Sequence, residues 1–556
     1  MKDSVKEYFG YENISLAWER MIRSTGRDAK DFFGIHLYSR NITENLQRLS
    51  DSILTGKFKP TRPFKYYEPK ASKTQRTKTV LAVEDSIFYQ AIANVVAHRN
   101  FEELSKYNHC TFGHVLNDEV KQGLSVLENK HSEYYFFRFY VPLYNEFVNS
   151  INKQVTDRDK HYKLETDITG FFDSIPHSKL LYVLGNDFNV EPEIIQLLST
   201  ALNIWSGTRD SITPGVGIPQ GPASSFFFAN IFLHSLDELM STNSPAYYRY
   251  MDDMRIYSSE EDELLDLLVV LDKHLKGKGL SINSKKTIIE TLSRSSIDEV
   301  EDPLHDYEND VDDEEAGMQK ISRSVQKLLR EGESADLSDI SKIDFEQLDD
   351  KSIIRYSYKE LIQVQKDLIR IYQVFLQSPK RMTDEKLQRE YIHCAYRWRT
   401  AVSILRDLKE SVEPSKHLIP VWLHGLEHLF WKANHFCWNL NQYGEDEAIS
   451  IALQEKLDDF RNYEWVQYQI LSNLGLVQKL TNEQLEEYFL EALLQDSALV
   501  RLGLYKMLLC QIDETSDLMK KVISALSKEK HLIFKQLLLS QKTKSSNQAI
   551  KNWLGL

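Results

Sequence analysis

Cysteine is scarce in this 556-residue chain, and the four present stand far apart. Cys110, Cys394, Cys437 and Cys510 form no Cys-x-x-Cys pair. That excludes a disulfide-stapled small domain and predicts reduced, mostly buried thiols in a cytoplasmic protein. Long apolar runs are missing as well. The opening MKDSVKEYFGYENISLAW is too polar for a signal peptide, and no later stretch approaches the roughly 20 apolar residues of a membrane span, so no membrane partner is expected. Glycine and proline are few, while 42% of residues are hydrophobic. The chain can therefore bury a sizeable core, and its length calls for two or more domains.

Positive charge is also lacking: the net charge is −14, which taken alone argues against a nucleic-acid partner. Its distribution removes the objection. Ile297–Glu315 carries eleven acids and no Lys or Arg, leaving the rest of the chain near −3. In contrast, Lys57, Lys59, Arg62, Lys65, Lys70, Lys73, Arg76 and Lys78 face a single acid, Glu68, over that short stretch. A solvated charged face is the plain reading of such a run; contact with a nucleotide or a phosphate backbone is the sharper one.

Three segments follow from the patterning. Residues 1–292 alternate strand-like and helical periods, as an α+β domain does. Residues 293–317 form an acidic linker or loop. Residues 318–556 are helical nearly throughout. In that last segment Asp350-Lys-Ser-Ile-Ile-Arg355 and Asp496-Ser-Ala-Leu-Val-Arg501 echo each other. HEAT-like helical repeats are one arrangement such an echo suggests, an irregular bundle the other.

The chemistry sits in two carboxylate clusters. Tyr248-Arg-Tyr-Met-Asp252-Asp253-Met-Arg-Ile-Tyr257 alternates around an acid pair, as a hairpin presenting both carboxylates would. Adjacent acids repel unless a cation neutralises them, and strand-borne aspartates suit hard divalent ions, magnesium most naturally. A third carboxylate, Asp167, lies in Tyr162-Lys-Leu-Glu-Thr-Asp167-Ile168-Thr-Gly-Phe171-Phe172-Asp173. Phosphoryl transfer between nucleotides uses two such ions, and Asp167 fits the bridging role.

Tyr250-Met251-Asp252-Asp253 resembles the YxDD motif of reverse transcriptases, and the Asp167 segment resembles their first palm motif. Gly217-Ile-Pro219-Gln220-Gly221-Pro-Ala-Ser-Ser225, followed by Ala229-Asn230, resembles the intervening PQG motif. Gly279-Leu-Ser-Ile-Asn-Ser-Lys-Lys286-Thr resembles the motif beyond the palm. The four occur in the family's order over about 125 residues. The resemblance implies a right-hand polymerase fingers and palm domain. It implies two Mg2+ ions, with Mn2+ as a substitute, held by Asp167, Ile168, Asp252 and Asp253. For the nucleotide site it implies Phe171, Gln220 and Lys286, with Phe172 as a gate against the ribose 2′-hydroxyl and Lys70, Lys73 and Arg76 as triphosphate grips. Pro219, Gly221 and Ser225 become contacts of the template or its loop. Plain alternatives stand beside these: Phe172 as core, Ser225 as a small residue facing its helix, Lys286 as an exposed lysine.

No RNase H-like carboxylate set, His-Asn-His nuclease pattern or cysteine-rich zinc module follows the palm. A palm with a large helical half resembles the bacterial abortive-infection and defence-associated reverse transcriptases. That branch implies anti-phage defence in a bacterial cytoplasm, with dNTPs, DNA and/or RNA, a non-coding RNA and further copies of the chain as partners. It also implies protein-primed or untemplated synthesis. A templated enzyme of an intron or retron and a nucleic-acid-binding scaffold are the competing readings.

Overall fold

The computed structural model describes residues 3–24, 35–125, 135–138, 140–207, 213–244, 246–292, 350–477, 479–513, 516–529, 533–534 and 537. The acidic run and the expected boundary at residue 318 lie outside them. Contacts divide the chain into two units: Met1–Lys65 with Thr77–Asp312, and Tyr66–Arg76 with Asp313–Leu556.

The first unit begins with helices α1 (Asp3–Phe9), α2 (Tyr11–Ser24), α3 (Ile35–Ser39) and α4 (Ile42–Leu54). A hairpin of β1 (Phe64–Pro69) and β2 (Gln75–Val80) follows, then α5 (Val83–Arg99), α6 (Phe101–Ser105) and α7 (Tyr140–Thr156). Next come β3 (Tyr162–Thr166), α8 (Phe171–Ser174), α9 (His177–Asn186), α10 (Pro192–Trp205) and α11 (Ala223–Asn243). The unit's last elements are β4 (Tyr247–Tyr250), β5 (Asp253–Ser258), α12 (Glu261–Lys278) and β6 (Ile288–Thr291). The palm sheet is antiparallel, in the order β4-β5-β3-β6.

Two helix types pack this unit. Helix α12 is amphipathic: Leu264, Leu267, Leu271 and Leu275 recur at three- and four-residue spacing and bury one face. It stops at Gly279, whose φ of 82° supplies the left-handed cap. Helix α5 is instead apolar or small nearly all round, and Ile87, Phe88, Tyr89, Ala91, Ile92, Val95 and Val96 are all fully buried. It forms a central pillar. Its few polar side chains are satisfied in a buried chain: Arg20 Nη1 donates to Asn94 Oδ1 (2.8 Å), Gln90 Nε2 donates to the same oxygen (3.0 Å), and Ser224 Oγ donates to Gln90 Oε1 (2.9 Å). This chain ties α2 and α5 to the start of α11. Aromatics between Thr111 and His161 serve the core: Phe136 packs edge-on to Phe227, and Phe147 lies against Phe112 and Tyr250. Tyr134 and Phe139 of that stretch lie outside the described residues.

Among the described residues the second unit is helical apart from the hairpin tip. Helices α13 (Asp350–Gln377) and α14 (Glu385–Asp407) pair, as do α15 (Ile419–His428) with α16 (Ala433–Leu440), α17 (Glu447–Asp459) with α18 (Glu464–Val477), and α19 (Asn482–Leu494) with α20 (Ala498–Gln511). The second helices of successive pairs also stack, α14 on α16, α16 on α18 and α18 on α20, and α21 (Asp517–Lys528) packs on the last pair. This is the arrangement of stacked helical repeats rather than of an irregular bundle. At the α18–α20 crossing, Gly475 lies where a Cβ would stand 3.1 Å from Met507 Cα, and Gly503 where one would stand 3.1 Å from Leu471 Cβ. Missing side chains let the two backbones approach. Asp384, Asp446, Thr481, Ser497 and Ser516 each cap a helix start with a side-chain oxygen, each worth about 1 kcal/mol. The four cysteines form no disulfide, and Cys110, Cys394 and Cys437 are buried.

The expectation that the whole hairpin belongs with residues 1–292 differs from this grouping. Tyr66–Arg76 packs with the helical unit instead, because Tyr66 stacks on Trp465 with ring centroids 5.2 Å apart.

Candidate active site

Strand register brings the aspartates together. On the β3–β5 pair, Glu165 faces Arg255 and Thr166 faces Met254. The ladder ends there: Asp167 is the residue that follows β3, and Asp253 opens β5 just before Met254. Strands β4 and β5 join through a turn in which Tyr250 pairs with Asp253, so Met251 and Asp252 form the tip. Met251 has a φ of 55°, a left-handed conformation that costs a non-glycine residue roughly 1–2 kcal/mol.

Neighbours over-determine that turn. Arg249 Nη1 donates to the Met251 carbonyl (2.7 Å) and to Asn230 Oδ1 (3.0 Å). The same guanidinium is fixed by Asp237 of α11 through two charge-assisted bonds, Nε–Oδ1 at 2.7 Å and Nη2–Oδ2 at 2.6 Å. Tyr247 donates its hydroxyl to Asp237 Oδ1 (2.9 Å). Behind the turn, Gly113 sits where a Cβ would stand 2.8 Å from the Met251 nitrogen. The Gly113 carbonyl accepts from Asn230 Nδ2 (2.9 Å).

The electrostatics favour a cation. Burial first, and the Asp167 carboxylate next, hold Asp252 well above the ordinary carboxylate range. Burial pushes Asp253 up to about 6 despite the nearby Arg255. Arg255 Nη2 lies 3.6 Å from Asp253 Oδ2, and its Nε lies 3.6 Å from Glu165 Oε1. Lys286 Nζ lies 2.8 Å from Asp167 Oδ2. Asp252 Oδ1 is buried and accepts no hydrogen bond. A buried carboxylate oxygen left so is costly, and hard-oxygen donors of this kind suit magnesium or manganese. Ile168 could contribute only backbone, since its side chain is buried. Among the described residues no group of three or more His, Cys, Asp or Glu side chains is arranged to hold a metal ion. The residues present fit a divalent ion by donor type and by the orphaned oxygen of Asp252.

The flanking loop is zipped to the same segment. Ile218 N donates to the Phe172 carbonyl (2.9 Å), Gly217 N to the Ile175 carbonyl (2.8 Å) and Thr79 N to the Gln220 carbonyl (2.8 Å). Gly221 has a φ of 146°, and a Cβ there would stand 2.8 Å from the Thr79 carbonyl oxygen. Phe171 and Phe172 are both buried, and Phe172 packs edge-on to Phe226 at 5.2 Å. Pro219 is buried, and Ser225 is fully buried in the first turn of α11 against Tyr89. Lys70, Lys73 and Arg76 belong to the helical unit's hairpin tip.

Sequence reasoning missed Arg249, Asp237, Asn230, Arg255 and Gly113. Arg249 stood inside the acid-pair motif, and Asn230 and Asp237 stand seven residues apart, two turns along one helix face. Those were the available signals.

Residues 73–321 match the family model described as reverse transcriptase (RNA-dependent DNA polymerase). Over those residues the chain is similar to the reverse-transcriptase family, whose model describes an RNA-dependent DNA polymerase. A relative, "Uncharacterized 91 kDa protein in cob intron" of Schizosaccharomyces pombe (strain 972 / ATCC 24843), is 42% identical over 78 residues, 14% of this chain and 10% of that protein. This chain thus matches about a tenth of that relative's length. Among solved structures, telomerase from Candida albicans in complex with a TWJ fragment of telomeric RNA is 10% identical. It covers 77% of this chain and 68% of its own, at a TM-score of 0.32. Apo telomerase from Candida tropicalis is 11% identical, covering 89% and 69%, at a TM-score of 0.30. The yeast relative lends no support to the bacterial source expected for the reverse-transcriptase domain. Among the described residues no helix is long and apolar enough to cross a membrane.

Proposed function

We propose that the whole chain acts as an RNA-directed DNA polymerase, with Asp167, Asp252, Asp253 and the backbone of Ile168 holding divalent ions. The observation that carries this is the approach of the Asp167 carboxylate to Asp252, which sits in the turn after the left-handed Met251. Two ions bound there would activate a 3′-hydroxyl and steady the departing pyrophosphate. In the reaction the 3′-oxygen bonds the α-phosphorus, the α–β phosphoanhydride bond breaks, and the hydroxyl proton leaves to solvent. Phe172 closes the sugar pocket against a 2′-hydroxyl. Gln220 borders the nucleotide, and Lys286 turns from Asp167 to the departing phosphates. Lys70, Lys73 and Arg76 grip the triphosphate, Arg76 by a bidentate guanidinium contact.

A templated enzyme of a mobile element is the reading best supported, because the yeast relative is described as a protein in an intron. Anti-phage defence, with a non-coding RNA, copies of the chain or protein priming, is the second; the stacked helical repeats favour it.

The test is extension by the purified full-length chain with magnesium and labelled dNTPs, with and without an RNA template and DNA primer. Template-dependent DNA synthesis that vanishes in Asp252→Asn/Asp253→Asn supports the site and the mobile-element reading. Synthesis surviving that double substitution sinks the metal-site assignment. Synthesis without template, bound covalently to protein, would favour the defence reading.

A further inference from the structure

The hairpin tip that carries Lys70, Lys73 and Arg76 is secured by the helical unit. Glu464, the first residue of α18, uses both carboxylate oxygens. Its Oε1 accepts from the backbone N–H of Tyr67 in β1 (2.8 Å), and its Oε2 accepts from Ser497 Oγ (2.5 Å). Ser497 in turn caps α20 by accepting from Val500 N. One carboxylate thus joins the hairpin's outer edge to two stacked helices. The next residue, Trp465, is 3% exposed and stacks on Tyr66, ring centroids 5.2 Å apart at 19°. Gln75 Nε2 approaches the Asn462 carbonyl at 3.4 Å, from the other strand.

Physical reasoning says what this does. A two-stranded hairpin alone is marginally stable in water, and an unpaired strand edge exposes its N–H groups. Here the edge N–H of Tyr67 meets an ionised acceptor, which makes the stronger class of hydrogen bond. The turn beyond it is tight: Lys73 has a φ of 64°, its N–H bonding to the Lys70 carbonyl (2.9 Å). Fixing β1 therefore fixes where all three cations of the tip point.

We propose that Glu464 and Trp465 are positioning residues for the hairpin tip, so that they set how tightly Lys70, Lys73 and Arg76 hold a triphosphate. This rests on the reading that Lys70, Lys73 and Arg76 grip the triphosphate. The mechanism is preorganisation: an ordered tip binds without first losing its own conformational freedom.

The test uses the full-length chain and four measurements: KM for dNTP, kcat, primer–template affinity, and amide hydrogen exchange across residues 66–76. Glu464→Ala should speed exchange at Tyr67 and raise KM for dNTP about tenfold, the scale of one hydrogen bond to a charged group. Its kcat, primer–template affinity and melting temperature should stay within error. Glu464→Gln keeps a carbonyl acceptor for Tyr67 and should recover part of the KM loss. Arg76→Ala is the control for the underlying reading. If Arg76→Ala raises KM while Glu464→Ala changes neither KM nor exchange, the positioning role is overturned and the triphosphate reading stands. If Arg76→Ala leaves KM unchanged, the triphosphate reading fails and takes this inference with it.

Discussion

Replacing Arg249 with Met isolates the clamp beneath the acid pair. The Arg249 side chain is 2% exposed and the Asp237 side chain it holds 4%. Removing one member of a buried ion pair strands the other's charge, at about 3–5 kcal/mol. The Met251 carbonyl and Asn230 Oδ1 lose a donor at the same time, and the left-handed Met251 turn loses its main restraint. For a unit of this size the stability loss should lower Tm by roughly 10 °C, with extension activity falling by at least tenfold. The double substitution Arg249→Met/Asp237→Leu separates the two effects. It removes the stranded carboxylate, and buried ion pairs replaced by apolar residues of similar volume are often neutral, so Tm should recover most of its loss. Activity should not recover, because nothing then holds the Met251 carbonyl. Differential scanning fluorimetry and primer extension on the same preparations read both quantities. Recovery of activity along with Tm would refute the claim that Arg249 orients the turn. A single-variant loss under about 1 kcal/mol would refute the burial argument itself.

Three further expectations follow from other parts of the unit. Gly113→Ala places a Cβ 2.8 Å from the Met251 nitrogen, so polymerisation should drop sharply while secondary structure by circular dichroism is kept. Phe172→Ala should raise ribonucleotide use relative to deoxynucleotide use in a competition assay; equal discrimination in the variant would leave Phe172 as core alone. Asp85 accepts from the Thr61 N–H (3.1 Å) and hydroxyl, yet burial pushes its carboxyl up to about 7. A folded pKa raised above the unfolded one contributes stability that is full below about pH 4 and lost as pH rises through about 7. Asp85→Asn should flatten that part of the urea-stability profile against pH, and an unchanged slope would show that Asp85 is not its source.

The chemistry was legible because its residues are local or regularly spaced. An acid pair flanked by Tyr, Met and Ile reads as a hairpin tip, and the glycines of the intervening loop mark close backbone approaches that Gly217 and Gly221 do make, with φ of 87° and 146°. The leucines of α12, at three- and four-residue spacing, fall on the one face that the helix buries. What supports the site was not legible, because it depends on which distant side chains meet. Nothing local to Tyr248-Arg-Tyr says that Arg249 will be buried on an acid of α11. Ser225 looked like a polar contact until α11 was seen to turn it into the core. The hairpin tip is the sharpest case. Its partner Glu464 lies 397 positions along the chain, a separation no spacing rule reaches.

The remaining question is why so acidic a site also contains so many cations. If Arg249 and Arg255 were counterions for the aspartates, a metal would have little to neutralise. Each guanidinium, however, has an acid of its own: Asp237 at 2.6 Å from Arg249, and Glu165 at 3.6 Å from Arg255, no farther than Asp253. Glu165 is itself held by Lys163 at 3.2 Å. Arg249 therefore braces β4 with its charge cancelled by Asp237, while Arg255 on β5 is shared between Asp253 and Glu165. Lys286 differs. Its side chain is 60% exposed, and it reaches Asp167 from solvent at 2.8 Å, in a pair that a surface position makes weak. The buried Arg249–Asp237 pair is neutral within itself, so the carboxylates of Asp167, Asp252 and Asp253 meet only Arg255 and Lys286 among these cations.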